Sequence, residues 1–201
     1  TFVGDRGMIK SAQIEDLASA GFHYITAITK PQIRSMIKKG IFQLELFDQH
    51  LCEIQDGDVR YVLRRNPLRA KEMADSRASK LAALQRLADE QNRYLAEHPR
   101  ADQHVAWKKV SEKDSRLGLS SIVTVTAADR RIHVEVDAEY MNYLAELDGC
   151  YVLKTDLPNQ AADKERIHDR YKDLALVETG FRTCKTTHLE VRPVFVRKEP
   201  N

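Results

Sequence analysis

Between residues 68 and 98 the chain carries neither glycine nor proline, and that uninterrupted stretch restricts the fold more than any other feature. Leu81, Leu84, Leu87 and Leu95 recur in it at near-helical spacing among charged residues. The pattern predicts one long helix, about 45 Å at 1.5 Å of rise per residue. Such a helix either lies on its own domain or stands out as an arm that packs a partner, and the spacing leaves both open. Hydrophobic residues make up 42% of the 201 positions, enough for the core of one large domain or two small ones. No apolar run approaches the roughly 20 residues of a membrane helix, so a membrane is not among the expected partners. Cys52, Cys150 and Cys184 form no CxxC pair and read as free thiols of a reducing cytoplasm. The seven histidines show no metal-ligand spacing.

Ahead of the long helix the pattern alternates. Residues 1–5 read as the end of a strand that carries Asp5 at its C-terminal end. A chain that opens inside a buried strand is expected to be a fragment. Residues 11–20 read as a short amphipathic helix closed by Gly21, and FHYITAI (22–28) as a buried strand. Pro31 opens a second helix, which Lys38, Lys39 and Gly40 end. Strand, helix, strand, helix is the alternation of an α/β sheet. From 41 to 66 the chain reads as irregular strands with a turn at Asp56-Gly57. Residues 99–118 are polar without a clear period. IVTVT and RIHVEV (122–126 and 131–136) form a hairpin, 138–147 a helix, and YVLKT (151–155) a strand. After Pro158 one helical stretch runs to about 186.

Charge is nearly balanced, with a formal net of +2, so bulk electrostatics does not announce a nucleic-acid partner. Locally, Arg60, Arg64, Arg65, Arg69, Lys71, Arg77 and Lys80 stand against only Glu72 and Asp75. That stretch reads either as a phosphate-binding patch or as a solvated helix entrance.

Chemistry concentrates between Tyr171 and Lys185, YKDLALVETGFRTCK. Placed on one helix at 100° per residue, Tyr171, Glu178, Arg182 and Lys185 fall within about 60° of one another. Leu174, Val177, Phe181 and Cys184 form an adjacent apolar stripe that is expected to face a core. A carboxylate among Tyr, Arg and Lys at a core edge suits a site that handles phosphate and a metal ion. It is equally an ordinary surface glutamate with i,i+4 support from Arg182.

The segment resembles the signature of the IS-four group of DDE-type bacterial insertion-sequence transposases: Tyr, two residues, Arg, three, Glu, six, Lys. Tyr171, Glu178 and Lys185 match that spacing, and Leu174 stands where the signature has Arg. VETGFRTCKT and LEVRPVF, with Arg192 and Pro193, are similar to the family's surroundings of the glutamate. VGDRGM resembles the strand end holding its second aspartate, and DGCYVLKT the strand before its glutamate helix. The resemblance implies a partial ribonuclease-H-like catalytic domain interrupted by an α+β insertion. It divides the chain into 1–40, an insertion over 41–158, and the glutamate helix and tail over 159–201. It further implies metal-dependent cleavage and strand transfer at transposon ends, in a bacterial, nucleoid-associated protein. Asp5 and Glu178 would be the metal ligands for Mg2+ (or Mn2+), and Tyr171, Arg182 and Lys185 the DNA contacts. The partners implied are double-stranded DNA, at transposon ends and target, and a second copy in a homodimer. The first catalytic aspartate would lie upstream, so the chain alone is expected to be inactive. A non-catalytic DNA-binding remnant and a long-helix interaction module are the competing readings.

Overall fold

The computed structural model describes residues 1–9 and 11–186, without the side chains of Ser11, Lys185 and Thr186. The fold is mixed α/β, in two compact units: Thr1–Arg64 together with the chain from Tyr151 onward, and Arg65–Cys150. These limits differ from the expected boundaries at 40/41 and 158/159. The hairpin strands before the long helix and the strand after Gly149 join the same sheet as the first strands, so hydrogen bonding draws them into the first unit.

The first unit holds β1 (Phe2–Gly4), α1 (Ser11–Ser19), β2 (Tyr24–Ala27), α2 (Lys30–Lys38), a 3-10 turn (Leu44–Asp48), β3 (Cys52–Asp56) and β4 (Val59–Arg65). β7 (Cys150–Thr155), α6 (Lys164–Lys172) and α7 (Leu174–Thr186) complete it. The five-stranded sheet runs β1-β2-β7-β4-β3. β1 is parallel to β2, β2 antiparallel to β7, and β3 antiparallel to β4. The turn at Asp56-Gly57 forms with Gly57 at φ 61. α2 starts on a capping box between Thr29 and Gln32. Both strands of the opening alternation were expected to be buried. β2 is buried along its length, but β1 is the sheet's edge and leaves Phe2 half exposed, edge-on to Phe22. Ile25, Ala27, Val62, Leu153 and Ile167 make the core, with Tyr151 and Tyr171 packed at its border.

The second unit holds α3 (Pro67–Glu97), α4 (Gln103–Leu117), β5 (Val123–Ala128), β6 (Arg131–Val136) and α5 (Ala138–Ala145). α3 is the expected long helix, opened by an Asn66 cap and Pro67. It is not a free arm, because Leu84, Ala88 and Leu95 are buried against Val110 of α4 and Ile132 of the hairpin. α4 went unread in the sequence because its inward positions are Ala106, Val110 and Asp114. Asp114 is a buried acid whose carboxylate accepts from Ser120 Oγ at 2.5 Å, so the third beat of the helical period looks polar. The hairpin's outer edges are occupied by side chains. Asn92 pairs with both the N–H and the carbonyl of Ile132, at 2.7 and 2.9 Å, and Trp107 Nε1 donates to Val125 O at 3.0 Å. Each outer edge thus has one residue's backbone groups taken up by a side chain, which blunts it as a template for another strand. Gly149 has φ 70, and a Cβ there would meet Asn66 O at 2.3 Å, so only glycine fits.

Among the described residues no helix is long and apolar enough to cross a membrane.

Candidate functional site

Asp5 follows directly on β1, so the parallel β1–β2 pair sets its position. Its backbone carbonyl accepts from Met8 N at 3.0 Å and Thr26 Oγ1 at 3.4 Å, which fixes the chain on both sides of the carboxylate. Oδ1 accepts from Arg6 N at 2.6 Å and from the Tyr171 hydroxyl at 2.9 Å. The second contact joins residues 166 positions apart. A carboxylate has about four lone-pair sites, so these two bonds from neutral donors at Oδ1 leave capacity for a cation.

Tyr171 reaches Asp5 because α6 packs on the sheet core. Asp163 caps its first turn, Ile167 and His168 are buried, and Tyr171, one turn after Ile167, is half-buried at the core's border. Burial, and then the Asp5 carboxylate, push the Tyr171 phenol far above its ordinary range. It keeps its proton and acts as a fixed donor. The resemblance puts Tyr171 among the DNA contacts. In the fold its hydroxyl proton goes to Asp5.

Beside it lies a polar chain that the sequence did not signal. His168 Nε2 lies 2.5 Å from the Tyr151 hydroxyl and 3.1 Å from Arg64 Nη1. A guanidinium only donates, so Nε2 accepts, and the network assigns a neutral ring protonated at Nδ1, which faces Asp169 at 3.5 Å. Burial, with help from Lys172 and Arg64, lowers the His168 pKa against the opposing pull of Asp169. Burial likewise raises the Tyr151 phenol. The sequence offers only polar residues one turn apart on α6, which carry no meaning without β4 and β7.

The His168 shift has a stability consequence. The folded state binds the proton less readily than the unfolded chain, whose histidine titrates near 6.5. Stability is therefore fully present above about pH 6.5 and falls as pH drops through that value towards the lower folded-state pKa. His168→Gln, whose amide oxygen can still accept from Arg64, is expected to flatten this part of the pH profile in urea melts between pH 7 and 5. Identical slopes in both proteins would contradict the assignment.

Glu178 and Arg182 lie on a different helix from Tyr171. The helical stretch after Pro158 is two helices, not one. α6 ends at Lys172, Asp173 pairs with Arg170, and α7 begins anew on the Asp173 carbonyl, which accepts from Leu176 and Val177. The single helical wheel drawn through Tyr171 and Glu178 is interrupted at Asp173, which itself keeps helical backbone angles, φ −58 and ψ −21. The apolar stripe also fails to face a core: Val177 and Phe181 are 51% and 63% exposed, and Leu176 on the same helix is 71% exposed. Glu178 and Arg182 are exposed on α7. The side chain of Lys185 and the segment holding Arg192 and Pro193 lie outside the described residues. Among the described residues no three His, Cys, Asp or Glu side chains are grouped to hold a metal ion.

The basic stretch from Arg60 to Lys80 is largely committed to structure. Arg60 is buried, with Nε on Glu53 at 2.7 Å and Nη1 on the carbonyls of Leu157 and Ala162 at 2.7 and 2.9 Å. Arg64 serves His168, Arg69 pairs with Glu72, and Arg77 pairs with buried Asp148.

No family model, no curated protein and no solved structure matches the chain.

Proposed function

We propose that the chain is part of a DDE-type transposase with a ribonuclease-H-like catalytic domain, acting in metal-dependent cleavage and transfer of DNA strands. The observation that supports this reading is the Tyr171–Asp5 hydrogen bond. It joins the end of β1 to Tyr171, the first residue of the signature segment, across nearly the whole chain. The parallel β1–α1–β2 unit with an aspartate at the strand's end is consistent with the same reading.

Asp5 offers a hard oxygen donor, the kind magnesium prefers, and its carboxylate retains lone pairs for an ion. Glu178 would be the second carboxylate. When bound, divalent ions would stabilise charge on the oxygens of a phosphoryl displacement. The chain's own contribution is orientation. Arg6 N and Tyr171 hold one carboxylate oxygen of Asp5, so the other faces a constant direction. Arg182 and Lys185 would hold phosphate oxygens, contacts that position DNA without reading its sequence. A homodimer that pairs two DNA ends belongs to the same proposal.

The test is a Mg2+ titration of strand nicking by the protein with its full natural sequence. Tyr171→Phe removes the donor that orients Asp5 and nothing else of its shape. It is expected to weaken the apparent metal affinity by about 10–100-fold, as loss of a ligand's hydrogen-bonded support does. A Phe variant indistinguishable from the wild type would remove this support, and a wild type without Mg2+-dependent nicking would overturn the reading itself.

A further inference from the structure

α4 is basic on the side it shows to solvent. Ala106 and Val110 are buried in the core, with Trp107 and Leu117 packed against it. Away from that core Lys108, Lys109 and Arg116 are exposed, with Glu112 the one carboxylate among them, and Lys113 is half-buried at the border of the core side. None of the four cations enters an ion pair among the described residues. Arg116 Nε donates to the Glu112 backbone carbonyl, and its place in the last turn complements the helix dipole. Lys108 and Lys109, in mid-helix, stand one turn before Glu112 without closing an ion pair to it. Lys109 and Lys113 stand at i,i+4, where like charges destabilise a helix. An anionic partner relieves that repulsion.

The geometry restricts the partner. A lipid surface needs a free apolar face beside the basic one, and the apolar face of α4 is spent on its own core, leaving only Val105 on the exposed side. The buried centre of a stable protein interface is enriched in aromatic residues and depleted in charge, whereas this arc carries three cations and, of large apolar residues, Val105 alone. From Lys108 to Arg116 the helix rises about 12 Å, and a DNA duplex carries one negative charge per roughly 1.7 Å of axis. We propose that the Lys108–Arg116 face of α4 binds the phosphate backbone of double-stranded DNA without reading its sequence. The choice of DNA as the polyanion rests on the proposed function. The binding itself uses neither Asp5 nor Glu178.

The experiment is fluorescence anisotropy with a labelled mixed-sequence duplex over a series of salt concentrations. Replacing Lys108, Lys109, Lys113 and Arg116 together by Gln is expected to weaken binding at low salt by at least about tenfold. The slope of log affinity against log salt should fall by about 0.9 for each phosphate that is no longer neutralised. Glu112→Gln, which removes the one opposing charge, should tighten binding, and it decides the matter if the fourfold variant fails to fold. Wild-type binding in the fourfold variant, absence of duplex binding by the wild type, or displacement of DNA by polyglutamate as readily as by unlabelled duplex would each overturn the proposal. DNA binding through α4 alongside unimpaired cleavage by Asp5→Asn would instead defeat the catalytic reading and leave this one standing.

Discussion

Asp5→Asn is expected to lower Mg2+-dependent strand cleavage by about three orders of magnitude or more, the scale on which loss of a catalytic group is felt. The substitution separates charge from shape. An asparagine oxygen can still accept from Arg6 N and the Tyr171 hydroxyl, the two donors on Oδ1. Met8 and Thr26 bond the backbone carbonyl and are untouched. What disappears is the negative charge that a divalent ion requires. Duplex binding by anisotropy should therefore stay near the wild-type value while single-turnover nicking vanishes. Glu178→Gln, on exposed α7, is expected to give the same split. Nicking at the wild-type rate in Asp5→Asn would end the assignment of Asp5 as a ligand.

The second large effect concerns Arg60, which the sequence marks as a member of a basic patch and the fold uses as a clamp. Its guanidinium binds Glu53 on the neighbouring strand, the carbonyls of Leu157 and Ala162, and Asn159 Oδ1 at 3.3 Å. Those last three residues lie in the loop between β7 and α6, so Arg60 holds the segment that launches the helix bearing His168 and Tyr171. Arg60→Met keeps much of the aliphatic stem but removes every donor. Each buried carbonyl left unpaired costs about 1–3 kcal/mol, and breaking a buried ionic contact from one side costs about 3–5 kcal/mol. Glu53 is partly exposed and can rehydrate, so a total loss of about 3–4 kcal/mol is expected. Urea unfolding followed by far-ultraviolet circular dichroism measures it. Loss of hydrogen-exchange protection should concentrate in α6. A change below about 1 kcal/mol would return Arg60 to the ordinary surface class.

The parts of the fold legible in the sequence are those governed by neighbours a few residues away. Pro31 with the Thr29–Gln32 box starts α2, and Gly40 at φ 74 lies just past its end. Asp56-Gly57 turns one hairpin, and the stretch without glycine or proline makes α3. Capping, turn chemistry and helical period act over one or two turns of chain, so they can be read without knowing the fold. The same holds for the strand that ends at Asp5.

Everything that depends on partners far along the chain stayed hidden. Arg60 reads as a free cation until residues 97 and 102 positions away supply its acceptors. α4 reads as loop until Asp114 finds Ser120 and its Ala106–Val110 side finds α3. The polar stripe drawn through Tyr171 and Glu178 assumed one continuous helix, and the restart at Asp173 separates the two residues onto α6 and α7. No neighbour in the sequence tells that the Tyr171 proton goes to Asp5, 166 residues earlier. The physical reason is common to these cases. A side chain's type states which bonds it can make, but burial decides which of them must be made, since an unpaired polar group away from water costs more than a paired one returns.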